Sequence, residues 1–509
     1  MAFHSILFDR EDSSTPVVAE PPFFGDLHLD QIASALIAGR DQYELAPFFY
    51  RPLHSVEAVR YRHQVLRDLE QEAVLDAVSV FAHAMERMRK HLALARTLHY
   101  ARQRQRWFLA AVSAYCESVG SFVEQLSRLE LRAPGFIALR DHLVSYAQSD
   151  AFAPLAAETR ELESELARIT YAIQIKGNHV KVDAYVGEPD MSEEVEQTFA
   201  KFRHAAANDY RVRFKEYPDM NHVEAQILEL VAKLHADTFA RLEAYWTRHR
   251  RYLDETIGRF DREVQFYLAY LQYIAPLKAA GLAFCHPRVS TSSKEIHARE
   301  TFDLALATKL VDERATVVCN GFYLTDAERI LVVSGPNNGG KTTFARMFGQ
   351  LHYLASLGLP VPGRDARLFL ADQIFTHFER EEDIETLRGK FEDELYRIHE
   401  ILERATGDSV LIMNESFGST TLRDALLVGT EVMSRIIALD ALCVFVTFVD
   451  ELASLSDSTV SMVSTVAADD PTVRTYKLMR KPADGLAYAA AIAAKHGLTY
   501  DALRRRIAR

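Results

Sequence analysis

The sequence has 509 residues and lacks any apolar run near the roughly 18 residues that a bilayer-spanning helix requires. Residues 9–12 read Asp-Arg-Glu-Asp, at the place where a secretory signal would need an apolar core. These two absences argue against a membrane protein and against a secreted one. We therefore expect an intracellular, cytoplasmic protein, and the length suggests about three domains.

Cysteine is scarce, and its spacing does not suit a metal site. The four cysteines have no paired spacing, and Cys443 lies in an apolar, strand-like run. In an intracellular protein, buried free thiols are favoured over disulfides or zinc ligands. The cysteines are Cys116, Cys285, Cys319 and Cys443.

The chain also lacks an excess of positive charge, since its formal net charge is −12. Such a balance argues against a general nucleic-acid coat, because neutralising phosphates requires clustered Lys and Arg. Two local clusters remain: residues 87–106 contain no acid, and three arginines closely follow Trp246. They are candidates for DNA contacts, with solvated helix faces as the alternative. The candidate arginines are Arg102, Arg104, Arg106, Arg248, Arg250 and Arg251.

A glycine-rich pattern of the kind that binds phosphates lies in the C-terminal half of the chain. Residues 330–333 are an apolar, β-branched run, residues 335–342 fit G-x-x-x-x-G-K-[ST], and a helical pattern follows. In such a loop the backbone N–H groups surround phosphates, Lys341 reaches the β- and γ-phosphates, and the Thr342 hydroxyl ligates Mg²⁺. The pattern predicts binding of ATP and Mg²⁺ by Gly335, Pro336, Asn337, Asn338, Gly339, Gly340, Lys341, Thr342 and Thr343.

A second polar element follows another apolar strand pattern, Ser409-Val-Leu-Ile-Met, which ends in Asn414 and Glu415. In an α/β sheet, the carboxyl ends of the strands are where ligands bind. We therefore expect Glu415 to orient or deprotonate the attacking water and Asn414 to contribute a neutral oxygen to Mg²⁺.

The loop Gly-Pro-Asn-Asn-Gly-Gly-Lys-Thr-Thr resembles that of the MutS family of DNA mismatch-repair ATPases, and further resemblances follow in order. Asn320 and Leu324 resemble the family's segment beside the adenine, residues 358–362 its G-x-x-V-P turn, and residues 372–376 its D-x-I-F-T strand. The resemblance implies an ABC-type ATPase domain that forms a homodimer, together with binding to DNA and to a repair or recombination partner.

Three positions depart from the family pattern. Asn414 stands where the family has an Asp, and Phe448 stands where it has a His that senses the γ-phosphate. Gly389 stands where the family has a Ser that contacts the nucleotide of the other subunit in the dimer. Arg388 and Lys390 flank Gly389 and are candidates to replace that contact across the dimer, with solvated surface residues as the alternative. These departures predict slow ATP hydrolysis with ATP binding preserved.

The predicted fold class is α plus α/β, with a helical core and lever, a β-hairpin insertion and a C-terminal ATPase domain whose sheet is mostly parallel. Residues 1–26 are predicted as a lead-in, 27–282 as core and lever with a clamp-like insertion at about 171–224, and 283–509 as the ATPase and dimerisation domain. The alternative to a clamp is a hairpin that only decorates the helical domain. Core-like helices begin by about residue 30, so we expect no mismatch-reading domains before them.

Three functions are consistent with these features. The first is ATP-modulated binding of duplex or branched DNA, without mismatch preference, in mismatch repair or recombination. The second is an ATP-gated scaffold whose partner is a protein. The third, a phosphotransferase, is the weakest, because nothing in the sequence suggests an acceptor site.

Overall fold

The computed structural model describes residues 3–9, 19–177, 179–187, 220–325, 327–379, 389–418, 420–467, 469–470, 473–483, 500 and 504. The chain divides into two compact units. Unit 1 comprises residues 1–3, 68–132 and 136–261, and unit 2 comprises residues 4–67, 133–135 and 262–509. Among the described helices, none combines the length and apolar content that a membrane span needs.

Helices dominate the first half of the chain, as its apolar spacing predicts. In chain order the α-helices are α1 Phe24–Leu27, α2 Leu29–Ile37, α3 Ala46–Tyr50, α4 Val56–Leu69, α5 Glu72–Thr97, α6 Ala101–Arg128, α7 Pro134–Ala147, α8 Ala153–Ala167, α9 His222–Leu234, α10 Ala236–Arg248, α11 Glu255–Ala279, α12 Leu304–Asp312, α13 Lys341–Ser356, α14 Lys390–Arg404 and α15 Leu422–Leu439.

Strands occur as one hairpin in the first half and as several sheets in the second. In chain order they are β1 Tyr171–Lys176, β2 His179–Ala184, β3 Phe284–Cys285, β4 Arg288–Ser290, β5 Ile296–Thr301, β6 Asn320–Leu324, β7 Ile330–Ser334, β8 Val361–Pro362, β9 Asp365–Phe369, β10 Ile374–Phe378, β11 Val410–Asn414, β12 Leu442–Val446, β13 Thr459–Val466 and β14 Arg474–Arg480.

Unit 1 is helical and is built around aromatic side chains. The ring centroids of Phe81 on α5 and Phe122 on α6 lie 4.5 Å apart, and Phe260 packs on Phe122 at 5.7 Å. Arg89 Nε donates to the buried carboxylate of Asp261 at 3.0 Å, so the unit also encloses an ion pair.

The predicted hairpin is confirmed. Strands β1 and β2 pair antiparallel, with Tyr171 opposite Ala184 and Lys176 opposite His179. Gly177 has a φ of 63° at the turn, a left-handed conformation that favours glycine. Residues 188–219 of the predicted clamp-like insertion lie outside the described residues.

Unit 2 contains the mostly parallel sheet that the sequence predicts. Its six strands run in the order β10-β11-β12-β7-β13-β14, and only β14 at the edge is antiparallel to its neighbour. Every residue of β7, β11 and β12 is buried, which explains their unbroken apolar runs. A four-stranded sheet, β4-β9-β5-β6, and the short pair β3-β8 complete the unit.

Residues near the N-terminus pack into unit 2, whereas the sequence predicts only a lead-in there. Ile6 and Leu7 are fully buried in unit 2. The backbone N–H of Ile6 donates to Glu263 at 2.9 Å, and Arg62 donates to the Leu7 carbonyl at 3.1 Å. An apolar run this short shows no periodicity in the sequence, which is why the pattern did not reveal it.

Two further predictions concern the cysteines and the C-terminus. All four cysteines are free, and Cys116 and Cys443 are buried, as expected. Burial raises the pKa of the Cys285 thiol to about 11, which keeps this half-buried thiol protonated at neutral pH. Residues 485–506, near the end of the predicted ATPase and dimerisation domain, lie outside the described residues except for Tyr500 and Arg504.

Candidate functional site

The predicted phosphate loop connects the end of β7 to the start of α13, at the centre of the parallel sheet. Strands β7, β11 and β12 are parallel, so their carboxyl ends lie at one edge. The structure therefore brings the loop and the pair Asn414 and Glu415 to the same edge, where α/β proteins bind ligands.

The loop conformation depends on its glycines. Gly335 has a φ of 117° and Gly340 a φ of 91°, both in the range that favours glycine, and Asn338 is also left-handed at 59°. At Gly339 the restriction is steric: an added Cβ would lie 2.3 Å from Ser464 Oγ and 2.9 Å from the Pro336 carbonyl oxygen. The loop backbone is therefore closely packed against β13.

Ser464 on β13 is a site residue that the sequence did not reveal. Its buried hydroxyl donates to the Gly339 carbonyl oxygen at 2.6 Å and so holds the loop from the neighbouring strand. No local pattern marks this serine, because its role depends on β13 pairing beside β7.

Lys341 begins α13 and is only 5% exposed. Its Nζ donates to the carbonyl oxygens of Gly335 and Pro336, at 3.1 and 3.2 Å, and to Asn337 Oδ1 at 3.3 Å. Burial lowers the pKa of the ammonium, and the Glu415 carboxylate opposes this shift. A buried cation held by oxygens of its own loop can exchange them for the oxygens of an anionic ligand.

Glu415 faces this lysine from the turn that follows β11. Its Oε1 lies 3.9 Å from Lys341 Nζ, and the side chain is 42% exposed. Glu415 and Phe417 have positive φ values of 54° and 68°, conformations that cost energy for residues other than glycine. The turn is stabilised by the Phe417 N–H, which donates to the buried Glu394 carboxylate at 2.7 Å.

The oxygens at this edge fit a hard divalent cation such as Mg²⁺. Asn414 is 5% exposed, and its Oδ1 has no hydrogen-bond partner among the described residues. A buried acceptor without a donor costs stability unless a ligand satisfies it. The Thr342 hydroxyl is half-buried in the first turn of α13, with Thr343 beside it. Within the described residues, no group of three or more His, Cys, Asp or Glu forms an alternative metal site.

Asn320 has a structural role that the sequence did not predict. Its Nδ2 donates to the Tyr476 carbonyl oxygen at 3.0 Å, and its Oδ1 accepts from the Leu478 N–H at 2.9 Å. Both ends of the amide therefore hold β6 against β14. A Cβ added at Gly340 would lie 3.8 Å from Tyr476, so β14 also reaches the loop.

The residues predicted to act across a dimer are described only in part. Arg388 lies outside the described residues. Gly389 precedes α14, and nothing lies within 4 Å of a Cβ added there. Lys390 forms an ion pair with Glu379. Phe448 is 48% exposed, which is unusual for a large apolar side chain.

The candidate DNA-binding arginines divide into two groups. Arg102, Arg106 and Arg248 form ion pairs with acids of neighbouring helices, to Glu243 at 3.3 Å, Glu163 at 3.7 Å and Glu158 at 3.0 Å respectively. The remaining three, in the described part of the chain, have no acidic side chain within ion-pair distance. Arg104 donates to the His99 carbonyl oxygen, and the guanidinium carbon of Arg250 lies 4.4 Å from the Trp246 ring centroid. Arg251 is exposed.

Comparison with known proteins matches the same region. A family model described as MutS domain V covers residues 331–503. DNA mismatch repair protein MutS of Thermosipho melanesiensis is 34% identical over 142 residues, which are 28% of this chain and 17% of that protein. MutS protein homolog 4 of mouse is 30% identical over 138 residues, 27% of this chain and 14% of that protein.

Residues 331–503 of the chain thus match MutS domain V. A longer match, to the MutS of Thermotoga neapolitana, has 26% identity over 246 residues, 47% of this chain and 29% of that protein. The chain therefore spans less than a third of the length of these MutS relatives. The MutS domain V match begins in β7, so it includes the loop, Asn414, Glu415 and Ser464.

Proposed function

We propose that this chain is a MutS-family protein that binds ATP with Mg²⁺ and uses it to modulate DNA binding in mismatch repair or recombination. The observation that carries the proposal is Lys341, a buried ammonium held by three loop oxygens and faced by Glu415 at 3.9 Å. A buried ammonium whose nearby carboxylate is half-exposed is stabilised by further negative charge, and a triphosphate supplies it.

Each group at the site then has a defined role. Lys341 exchanges its loop oxygens for phosphate oxygens, and the N–H groups of the loop and of the first turn of α13 donate to the phosphates. The Thr342 hydroxyl and Asn414 Oδ1 would hold Mg²⁺, which would supply positive charge next to the phosphates. Glu415, half-exposed beside Lys341, holds and deprotonates the attacking water.

Hydrolysis is slow in this proposal. Asn414 offers a neutral oxygen where a carboxylate would attract the cation more strongly, and Phe448 provides no hydrogen-bond donor to the γ-phosphate. The ATP-bound state is therefore long-lived, as suits a switch that holds one conformation. The homodimer completes the site in trans, and sedimentation with and without ATP tests it: a monomer in both conditions contradicts the proposed dimer.

DNA binding is tested by salt dependence and by the two groups of arginines. Binding of duplex and branched DNA should weaken steeply with salt and should change with ATP in the wild type but not in Lys341→Ala. Replacing Arg250 and Arg251 together by Gln should weaken binding, whereas replacing the ion-paired Arg106 and Arg248 should weaken it less.

The alternative is an ATP-gated scaffold that binds a protein partner. The ion pairs of Arg102, Arg106 and Arg248 favour this alternative, because the paired glutamates neutralise positive charge that would otherwise attract DNA phosphates. Failure of duplex, mismatched and branched DNA to bind at low salt, in a protein that still binds ATP, selects this alternative.

A further inference from the structure

A concave pocket of about 370 Å³ lies in unit 2, between one face of α4 and the residues around β4. Arg60, His63, Gln64 and Arg67 follow the spacing i, i+3, i+4, i+7, so they share one face of α4. The opposite wall includes His286 and Arg288. None of the residues that line the pocket is acidic.

The charge of the pocket is unusual for a chain with a net charge of −12. Arg60 and Arg67 are exposed, and neither has an acidic side chain within ion-pair distance in the described part of unit 2. Arg288 has Asp365 at 3.6 Å, with both side chains largely exposed, so this pair is weak and can open.

A buried histidine lies at the base of the pocket. His63 is 5% exposed, and its ring packs edge-on against His286 with centroids 5.1 Å apart. Pro287, which follows His286, is also buried. The pocket therefore combines three exposed arginines with a buried imidazole at its base.

We propose that this pocket binds a compact phosphate group, independently of nucleotide binding at the loop around Lys341. Guanidinium groups donate two parallel hydrogen bonds to phosphate oxygens, and a pocket of this volume accepts a phosphate or pyrophosphate rather than a duplex. The phosphate belongs either to a free small molecule or to the backbone of a nucleic acid, and the same pocket chemistry serves both.

The test is calorimetric titration of inorganic pyrophosphate into the full chain carrying Lys341→Ala, which removes the central cation of the loop. We expect binding in this background and a loss of affinity of at least about tenfold when Arg60→Gln and Arg67→Gln are added, since each arginine supplies a charge-assisted contact. The matched control adds Arg128→Gln and Arg132→Gln, two exposed arginines of unit 1, and should bind pyrophosphate normally.

No binding of pyrophosphate in the Lys341→Ala background, or equal loss in the control variant, would overturn the proposal. A second titration, with a short single-stranded DNA present, identifies the source of the phosphate. Weaker pyrophosphate binding in the presence of the DNA, together with weaker binding of the DNA itself to the variant carrying Arg60→Gln and Arg67→Gln, assigns the pocket to a nucleic-acid backbone. Pyrophosphate binding that the DNA leaves unchanged assigns the pocket to a free phosphorylated molecule. Because Lys341 is already replaced, failure of the nucleotide proposal does not affect the result.

Discussion

The Ser464 hydroxyl donates to the Gly339 carbonyl oxygen at 2.6 Å and so joins the strand beside β7 to the candidate phosphate loop. The same proximity leaves no room for a side chain at residue 339, because a Cβ there would contact both Ser464 Oγ and the Pro336 carbonyl oxygen. The conformation of the loop at Gly339 is thus restricted both by β13, through Ser464, and by the loop's own backbone at Pro336.

The first prediction follows from this contact. Gly339→Ala should displace the loop and lower ATP affinity by at least about tenfold, since the backbone oxygen of Pro336 cannot move away as a side chain can. Ser464→Ala should lower the free energy of unfolding by only about 1 kcal/mol, through one lost hydrogen bond. The double variant should recover ATP affinity in part. Wild-type ATP affinity in Gly339→Ala would show that the loop tolerates the added methyl group.

The second prediction concerns turnover. Glu415→Gln should abolish ATP hydrolysis, because the attacking water loses its base, while ATP binding persists. Asn414→Asp should raise turnover, because a carboxylate holds the cation more firmly than an amide, unless Phe448 or Gly389 limits the rate. Steady-state hydrolysis by the three proteins at saturating Mg²⁺ is the measurement. Hydrolysis that survives intact in Glu415→Gln would mean that another group is the base.

The third prediction uses the buried pair in unit 1. Burial raises the pKa of Asp261 to about 6, and Arg89 opposes this shift. The folded state therefore binds a proton more tightly than the unfolded state, whose pKa is near 3.8. The contribution of this group to stability is full below pH 3.8 and is lost as the pH rises toward 6.

Urea unfolding of the wild type and of Asp261→Asn at pH 4.5 and 7.5 tests this. The stability of the wild type relative to the variant should be about 2 kcal/mol greater at pH 4.5 than at pH 7.5, because each pKa unit corresponds to about 1.4 kcal/mol. A relative stability that is the same at both pH values would indicate that Asp261 does not titrate in this range.

Local patterns were sufficient for the parts of the molecule that are built from consecutive residues. The hairpin at Gly177 and the buried strand β7 could be predicted, because turn residues and the spacing of apolar residues are local signals in the sequence. The spacing around Lys341 likewise predicted which residues form the loop.

Contacts between segments that are distant in the chain could not be predicted from the sequence. Ser464 lies 125 residues beyond Gly339, and Asn320 is held by a strand 158 residues away. The buried N-terminal residues Ile6 and Leu7 are held by Glu263 and Arg62 in the same way. Such pairings depend on sheet order and helix packing, for which a single sequence carries no local signal. The pocket beside α4 was missed for the same reason, since half of its wall comes from the region of β4.

The central claim is that Lys341 binds the phosphates of ATP. Equilibrium binding of ATP with Mg²⁺ to the wild type, to Lys341→Ala and to Lys309→Ala, an exposed lysine on α12, tests it most directly. The account predicts a loss of at least about tenfold in affinity for Lys341→Ala, because a charge-assisted contact contributes roughly 1.5–3 kcal/mol, and no change for Lys309→Ala. Equal affinity in all three proteins would contradict it.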